Sequence, residues 1–143
     1  MAAPNIGVAP NGDTLAVTGE GEFSVNPKDG SASGGFTHFF AGGGSVSGTW
    51  VATQLMSFHF YGCGELFGDS IPPNFCGGAV KMRVELTTPL GTLPGVLTVF
   101  CIIGGKLPAS HADPSGEGVT LDIPGVINFN HTGGGENVYI RLP

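Results

Sequence analysis

Charge is what this sequence has least of. Of 143 residues only 5 are basic and 11 acidic, and the basic ones (Lys28, Lys81, Arg83, Lys106 and Arg141) are scattered. Nucleic-acid binding needs clustered cations that displace counterions, so a net charge of −6 without a basic cluster argues against it. The same scatter argues against an anionic membrane surface. Long apolar runs are missing too. The longest, Val96 to Ile103, is broken by Thr98 and falls far short of the ~20 residues of a membrane helix, so no membrane insertion is expected. The first residues carry neither a basic start nor an apolar stretch, and no signal peptide is expected. No stretch keeps a 3.6-residue period, and the 26 glycines, each costing roughly 1 kcal/mol in a helix, exclude a helical bundle. They show no three-residue period, which excludes collagen. With 41% hydrophobic residues and ten phenylalanines, simple disorder is excluded as well.

What is present is period two. Val80, Met82, Val84 and Leu86 alternate with Lys81, Arg83 and Glu85; Val119, Leu121 and Ile123 alternate with Thr120 and Asp122. Leu15 with Val17, Phe23 with Val25, and Val138, Ile140 with Leu142 repeat the pattern. The spacing predicts nine or ten strands, at about 14–19, 21–26, 33–41, 45–54, 55–62, 79–88, 95–103, 118–123, 126–130 and 136–142. Gly- and Asn-rich turns separate them at 11–13, 26–30, 42–44 and 132–135. Two longer connections are expected, at about 62–78 and 104–117. The fold class is therefore all-β: one domain over 1–143, an antiparallel meander of short strands closing as a barrel or sandwich.

A weak repeat supports closure. Gly21 and Phe23, Gly34 and Phe36, and Gly48 and Trp50 each place glycine two residues before an aromatic. Glycine permits the bend that closure needs, and the ring covers the gap. The segments Gly34-Gly35-Phe36-Thr37-His38, Gly48-Thr49-Trp50, Val80-Lys81-Met82-Arg83-Val84 and Ile127-Asn128-Phe129-Asn130, in that order, resemble a group of small Gly-rich bacterial β proteins. The resemblance covers most of the chain and brings no catalytic residue with it. Cys63 and Cys76 depart from it.

Cysteine is scarce, with three in all. Cys63 and Cys76 flank the first long connection, where either a bridge worth roughly 3 kcal/mol or two free thiols is compatible with the sequence. A bridge would favour an extracellular or cell-surface setting, free thiols a cytoplasmic one. Cys101, inside an apolar run, reads as a core residue. No paired CxxC exists, so zinc is not expected, nor is any other metal or cofactor.

Chemical motifs are thin. His38 shares a strand face with Phe36 and Phe40, and His59 shares one with Leu55 and Tyr61. The two imidazoles, with His131, would make a metal or acid/base site only if their strands met. Gly44-Ser45-Val46-Ser47-Gly48 lacks the central serine and following helix of a nucleophile elbow. No phosphate-binding fingerprint occurs. Asp113 and Glu117 in the 108–118 segment lack the regular oxygen spacing of a calcium loop. Asn130-His131-Thr132 is a glycosylation sequon. No catalytic residue is assigned.

The strongest feature is aromatic. Between Phe36 and Tyr61 both strand faces are apolar, and a barrel or sandwich covers only one. The first expectation is therefore a structural or interaction protein that self-associates through Phe36, Phe39, Phe40, Met56, Phe58, Phe60 and Tyr61, as a closed oligomer or a fibre. The second is a small-molecule barrel, a carrier or a cyclase or isomerase of allene-oxide-cyclase or dirigent type. The Gly48-Thr49-Trp50 segment is similar to calycin barrels, and the lumen, lined by Phe23, His38, Trp50 and His59, would take a small apolar ligand. The third is an extracellular glycan-recognition module.

Overall fold

In a computed structural model the chain is described over residues 1–66, 68–103 and 117–142. The second long connection, with Lys106, Pro108, His111, Asp113 and Pro114, lies outside them except for Glu117. Twelve strands run in chain order: β1 (Ala3–Val8), β2 (Thr14–Val25), β3 (Lys28–Phe39), β4 (Ser45–Cys63), β5 (Glu65–Leu66), β6 (Asp69–Ser70), β7 (Phe75–Thr88), β8 (Gly91–Cys101), β9 (Gly118–Ile123), β10 (Ile127–Phe129), β11 (His131–Glu136) and β12 (Tyr139–Ile140). Ten form one antiparallel sheet in the order β10-β9-β8-β7-β4-β3-β2-β1-β11, with β12 added to β7; β5 and β6 pair separately. The sheet is nearly closed as a barrel. Only Asn130 separates β10, paired to β9, from β11, paired to β1, so one segment stitches the two ends of the sheet. The Gly134 amide adds a bond to the Glu117 carbonyl across the same seam, at 3.1 Å.

Alternation places the core as the sequence predicts on β2, β7 and β9. Leu15, Val17, Val80, Met82, Val84, Leu86, Val119, Leu121 and Ile123 are buried, while Lys81, Arg83 and Glu85 face out. The Gly-x-aromatic repeat works across strands rather than along one. Phe23 stands opposite Gly30, Phe36 opposite Gly48, and Trp50 opposite Gly34. A Cβ at Gly48 would meet the Phe36 ring at 2.9 Å, and one at Gly19 would run into the Trp50 ring. The Phe36 and Trp50 rings fill space that a neighbouring glycine leaves open.

Four expectations are corrected. The pairs 14–19 with 21–26 and 45–54 with 55–62 are single strands, β2 and β4. Strand β1 escapes the hydrophobic pattern because its inward positions are Asn5 and Gly7, followed by Ala9. The Gly-rich 132–135 stretch, read as a turn, lies in β11. At the C-terminus it is Tyr139 that points in, while Ile140 and Leu142 are exposed.

The double-faced aromatic stretch has a physical cause in β4. Its register with β7 shifts between Ala52 and Gln54, between Leu55 and Ser57, and between Phe60 and Gly62. Each bulge adds a residue and reverses the alternation downstream. Leu55, Phe58 and Tyr61 thereby turn inward at intervals of three, and the second apolar face shrinks accordingly.

Candidate binding cleft

The β3–β4 ladder runs from Phe39 opposite Ser45 to Ser33 opposite Val51 and then stops. Both strands continue, β3 back to Lys28 and β4 on to Cys63, but they part. The hairpin of β2 and β3, turned at a cis Asn26–Pro27 bond, leans away as a pair. Lys28 spans the opening, its Nζ donating to the Met56 carbonyl at 2.9 Å.

Behind the opening lies a cavity of about 300 Å³, walled by Trp50, Ala52, Leu55, Val80, Met82 and Val99, with Gly30 to Ala32 at its rim. Trp50 holds its place by donating Nε1–H to the Thr18 carbonyl at 2.9 Å. Next to the cavity runs an open cleft of about 800 Å³ between the end of β2 (Gly21 to Asn26), Phe58 and Phe60 of β4, and the C-terminal segment from Val138 to Leu142. Phe23 and Tyr139 line both spaces. Their rings meet edge-on with centroids 5.8 Å apart, and Phe58 packs on each, at 4.9 Å and 5.3 Å. Four of the exposed large apolar side chains, Val25 (56%), Phe60 (42%), Ile140 (50%) and Leu142 (64%), border the cleft.

The C-terminal segment is pinned where it enters. Asn137 donates its side-chain amide to Asn5 Oδ1 and to the Phe100 carbonyl (2.8 Å), and Asn5 returns a bond to Asn137 Oδ1 at 3.0 Å. The Glu117 carboxylate accepts from the Ile102 amide at 2.6 Å and the Asn137 amide at 3.1 Å. Burial raises the Glu117 pKa, with these amides opposing the rise. Cys101 donates its thiol to the Asn137 carbonyl at 3.0 Å, and burial pushes that thiol up to about 12, far from thiolate chemistry. Tyr139 donates its hydroxyl to the Val99 carbonyl at 2.6 Å, and its burial raises the phenol well above the ordinary value.

The residues singled out from sequence are dispersed. Phe23 and Trp50 line the inner cavity; His38 and His59 do not. His38 bonds Asp13 through Nε2 at 2.7 Å and packs on Phe40 and Phe129. The Asp13 pKa is lowered by the Ala41 amide and by His38. His59 is exposed on β4, thirteen residues beyond Val46, the partner of His38, so the two imidazoles do not meet. His131 pairs with Val8 on β1, away from both. Among the described residues no group of three or more His, Cys, Asp or Glu side chains is placed to hold a metal. Of the aromatic face, Phe36 and Tyr61 are buried in the core, Met56 and Phe58 are half-buried, and Phe39 and Phe40 sit at the opposite end from Phe60. Cys63 and Cys76 are disulfide-bonded directly across the β4–β7 ladder, beside the cleft.

Neither a protein-family model, nor a curated protein, nor a solved structure matches this chain.

Tyr139 and the Asn5, Glu117 and Asn137 cluster were missed from sequence. Tyr139 sits between Val138 and Ile140, so the apolar alternation assigns it to the wrong side. The cluster joins residues more than 130 positions apart, which no local pattern reports.

Proposed function

We propose that this chain is a binding module that takes a small apolar ligand in the cavity and cleft at the open end of its barrel. One observation carries the reading: an apolar, aromatic-walled cavity of about 300 Å³ continues into a cleft whose rim holds four exposed large apolar side chains. Apolar cavities with a few fixed polar groups are the usual form of small-molecule sites, and apolar rims kept in water mark surfaces that something covers. The walls here are held by strand pairing, by the disulfide and by Trp50, so binding needs little reorganisation. The arrangement supports a carrier more than a catalyst: of the titratable groups lining the cavity, Tyr139 and the N-terminal ammonium are committed to the Val99 and Gly19 carbonyls, and Glu20 and Glu22 are exposed on the outer side of β2. The test is saturable 1:1 binding of the uncharged, rod-shaped fluorophore 1,6-diphenyl-1,3,5-hexatriene. It is expected to be lost in Ala52→Leu, which fills the inner cavity; undiminished binding by that variant would remove the reading.

Self-association, the first expectation from sequence, keeps a narrower basis. Phe39 and Phe40 are adjacent and exposed (47% and 43%), and on the same outer face Thr37, Ser47 and Thr49 separate them from exposed Val51. A homo-oligomer has this patch and the cleft rim around Phe60 to use, and light scattering of Phe39→Ser and Phe60→Ser against the unmodified chain separates the two.

A further inference from the structure

We infer that the ligand of this site is an amphipathic carboxylate with one unbranched alkyl chain, its chain in the inner cavity and its carboxylate on Arg141. This rests on the ligand-binding reading above and adds the chemical class. Shape gives the chain. The two spaces share a wall of Gly21, Glu22, Phe23, Val138, Tyr139 and Ile140, and at its centre the Phe23 and Tyr139 rings are in edge contact, with centroids 5.8 Å apart. Tyr139 is fixed by its strand pairing and its bond to Val99, whereas Phe23 rides on the hairpin that has left β4. Because these rings touch, a molecule that spans both spaces displaces Phe23, and a single alkyl chain, the thinnest apolar group, displaces it least. A fused polycycle would have to displace the hairpin.

Charge gives the head group. Arg141 lines the outer cleft, with its backbone amide bonded to the Asn74 carbonyl and its guanidinium 5.3 Å from the Phe60 ring centroid. Among the described residues no carboxylate lies within ion-pairing distance of it. Glu22 also lines the cleft and the cavity, but it alternates with inward-pointing Phe23 and its side chain is exposed on β2. A guanidinium stacked on an aromatic ring keeps its donor edge open, and that fork matches a carboxylate bidentately. At physiological salt the net charge of −6 is screened beyond roughly 8 Å, so the nearby cation decides the local preference.

The experiment is calorimetric titration of the intact chain at pH 8 with decanoate, 1-decanol and 1-pyrenebutyrate. Decanoate is expected to bind about tenfold more tightly than 1-decanol, from one charge-assisted contact. Arg141→Gln should abolish that preference while leaving 1-decanol unchanged, and Arg141 is exposed enough that the variant folds as the parent does. Pyrenebutyrate should bind only after Phe23→Ala. Equal affinities for acid and alcohol, or a silent Arg141→Gln, would overturn the carboxylate assignment and leave the apolar site standing. Pyrenebutyrate binding more tightly than decanoate to the unmodified chain would overturn the slender chain. Failure of all three to bind would overturn this inference together with the reading it rests on.

Discussion

The two ends of this barrel are built from the same strands and differ in one respect. Around Leu15, Val17, Phe36, Leu121 and Phe129 the ladders from β1 to β4 and from β7 to β10 are unbroken, and the inward side chains meet in one core. At the other end β3 and β4 separate after Ser33 and Val51, and the inward rings of β2, β4 and β12 pack on one another beside an open cavity. Phe129 at the closed end is fully buried, whereas Phe23 and Phe58 at the open end are half-buried members of an aromatic cluster. The lesson is that continuity of the backbone ladder, more than the choice of side chain, decides whether apolar residues become core or site.

The contrast can be broken by truncation. Phe129→Ala should cost about 3–5 kcal/mol, as for other fully buried rings, while Phe58→Ala should cost less than half as much. Urea denaturation of the two variants measures the difference, and equal losses would mean that the open end is packed as tightly as the closed one. Next in size is the bridge. Replacing Cys63 and Cys76 together with Ser should lower stability by about 2–4 kcal/mol, read as a drop in Tm. The loss should loosen the open end first, with amides of Phe75 to Gly78 exchanging faster than those of Val119 to Leu121.

Much of this was legible in the sequence, for reasons that also explain the misses. Strands β7 and β9 alternate cleanly because one face meets the core and the other meets water throughout. The Gly-x-aromatic spacing pointed to strand bends, and the cross-strand pairing of Phe36 with Gly48 shows where the rings go. The bulges of β4 were invisible, since each depends on register with β7 and not on residues within β4. They turned an apparent two-sided apolar strand into an inward row of Leu55, Phe58 and Tyr61. Half of the cleft was legible, as Phe23 and Trp50. The other half, Tyr139 and Arg141, belongs to a short strand whose apolar residues face outward because a polar cluster, not apolar burial, fixes its direction.

Enlargement sharpens the comparison further. Ala52→Leu should leave stability within about 1 kcal/mol because it grows into existing space, whereas Val119→Leu should cost about 1–3 kcal/mol in a core without any. Thermal melts of the pair test this, and comparable losses would argue that the inner cavity is smaller than its walls imply.

The smallest effect is in pH. The lowered Asp13 pKa means that the folded chain holds this proton less tightly than the unfolded one. Its stabilising contribution is full above the ordinary carboxylate value of 3.8 and is lost as pH falls through the lowered one. Glu117 has the opposite sign. Its raised pKa makes the folded chain the better proton binder, so its ionisation opposes folding as pH rises from 4.5 through the raised value. Stability should therefore rise slightly on mild acidification from neutrality and fall below about pH 4 as Asp13 protonates. A Tm series from pH 7 to 2 on the parent, Asp13→Asn and Glu117→Gln tests this. Asp13→Asn should remove part of the acid limb, and Glu117→Gln should flatten the rise above pH 4.5; a profile unchanged by both would contradict the assignments.

Trp50 is the sole tryptophan and a wall of the inner cavity, so its emission reports directly on occupancy. Titration with 1-decanol, which carries no charge for Arg141 to read, is predicted to give a saturable shift in Trp50 emission at one equivalent, absent in Ala52→Leu. An emission spectrum that does not change, or that changes equally in the filled variant, would contradict a ligand site at the open end of the barrel.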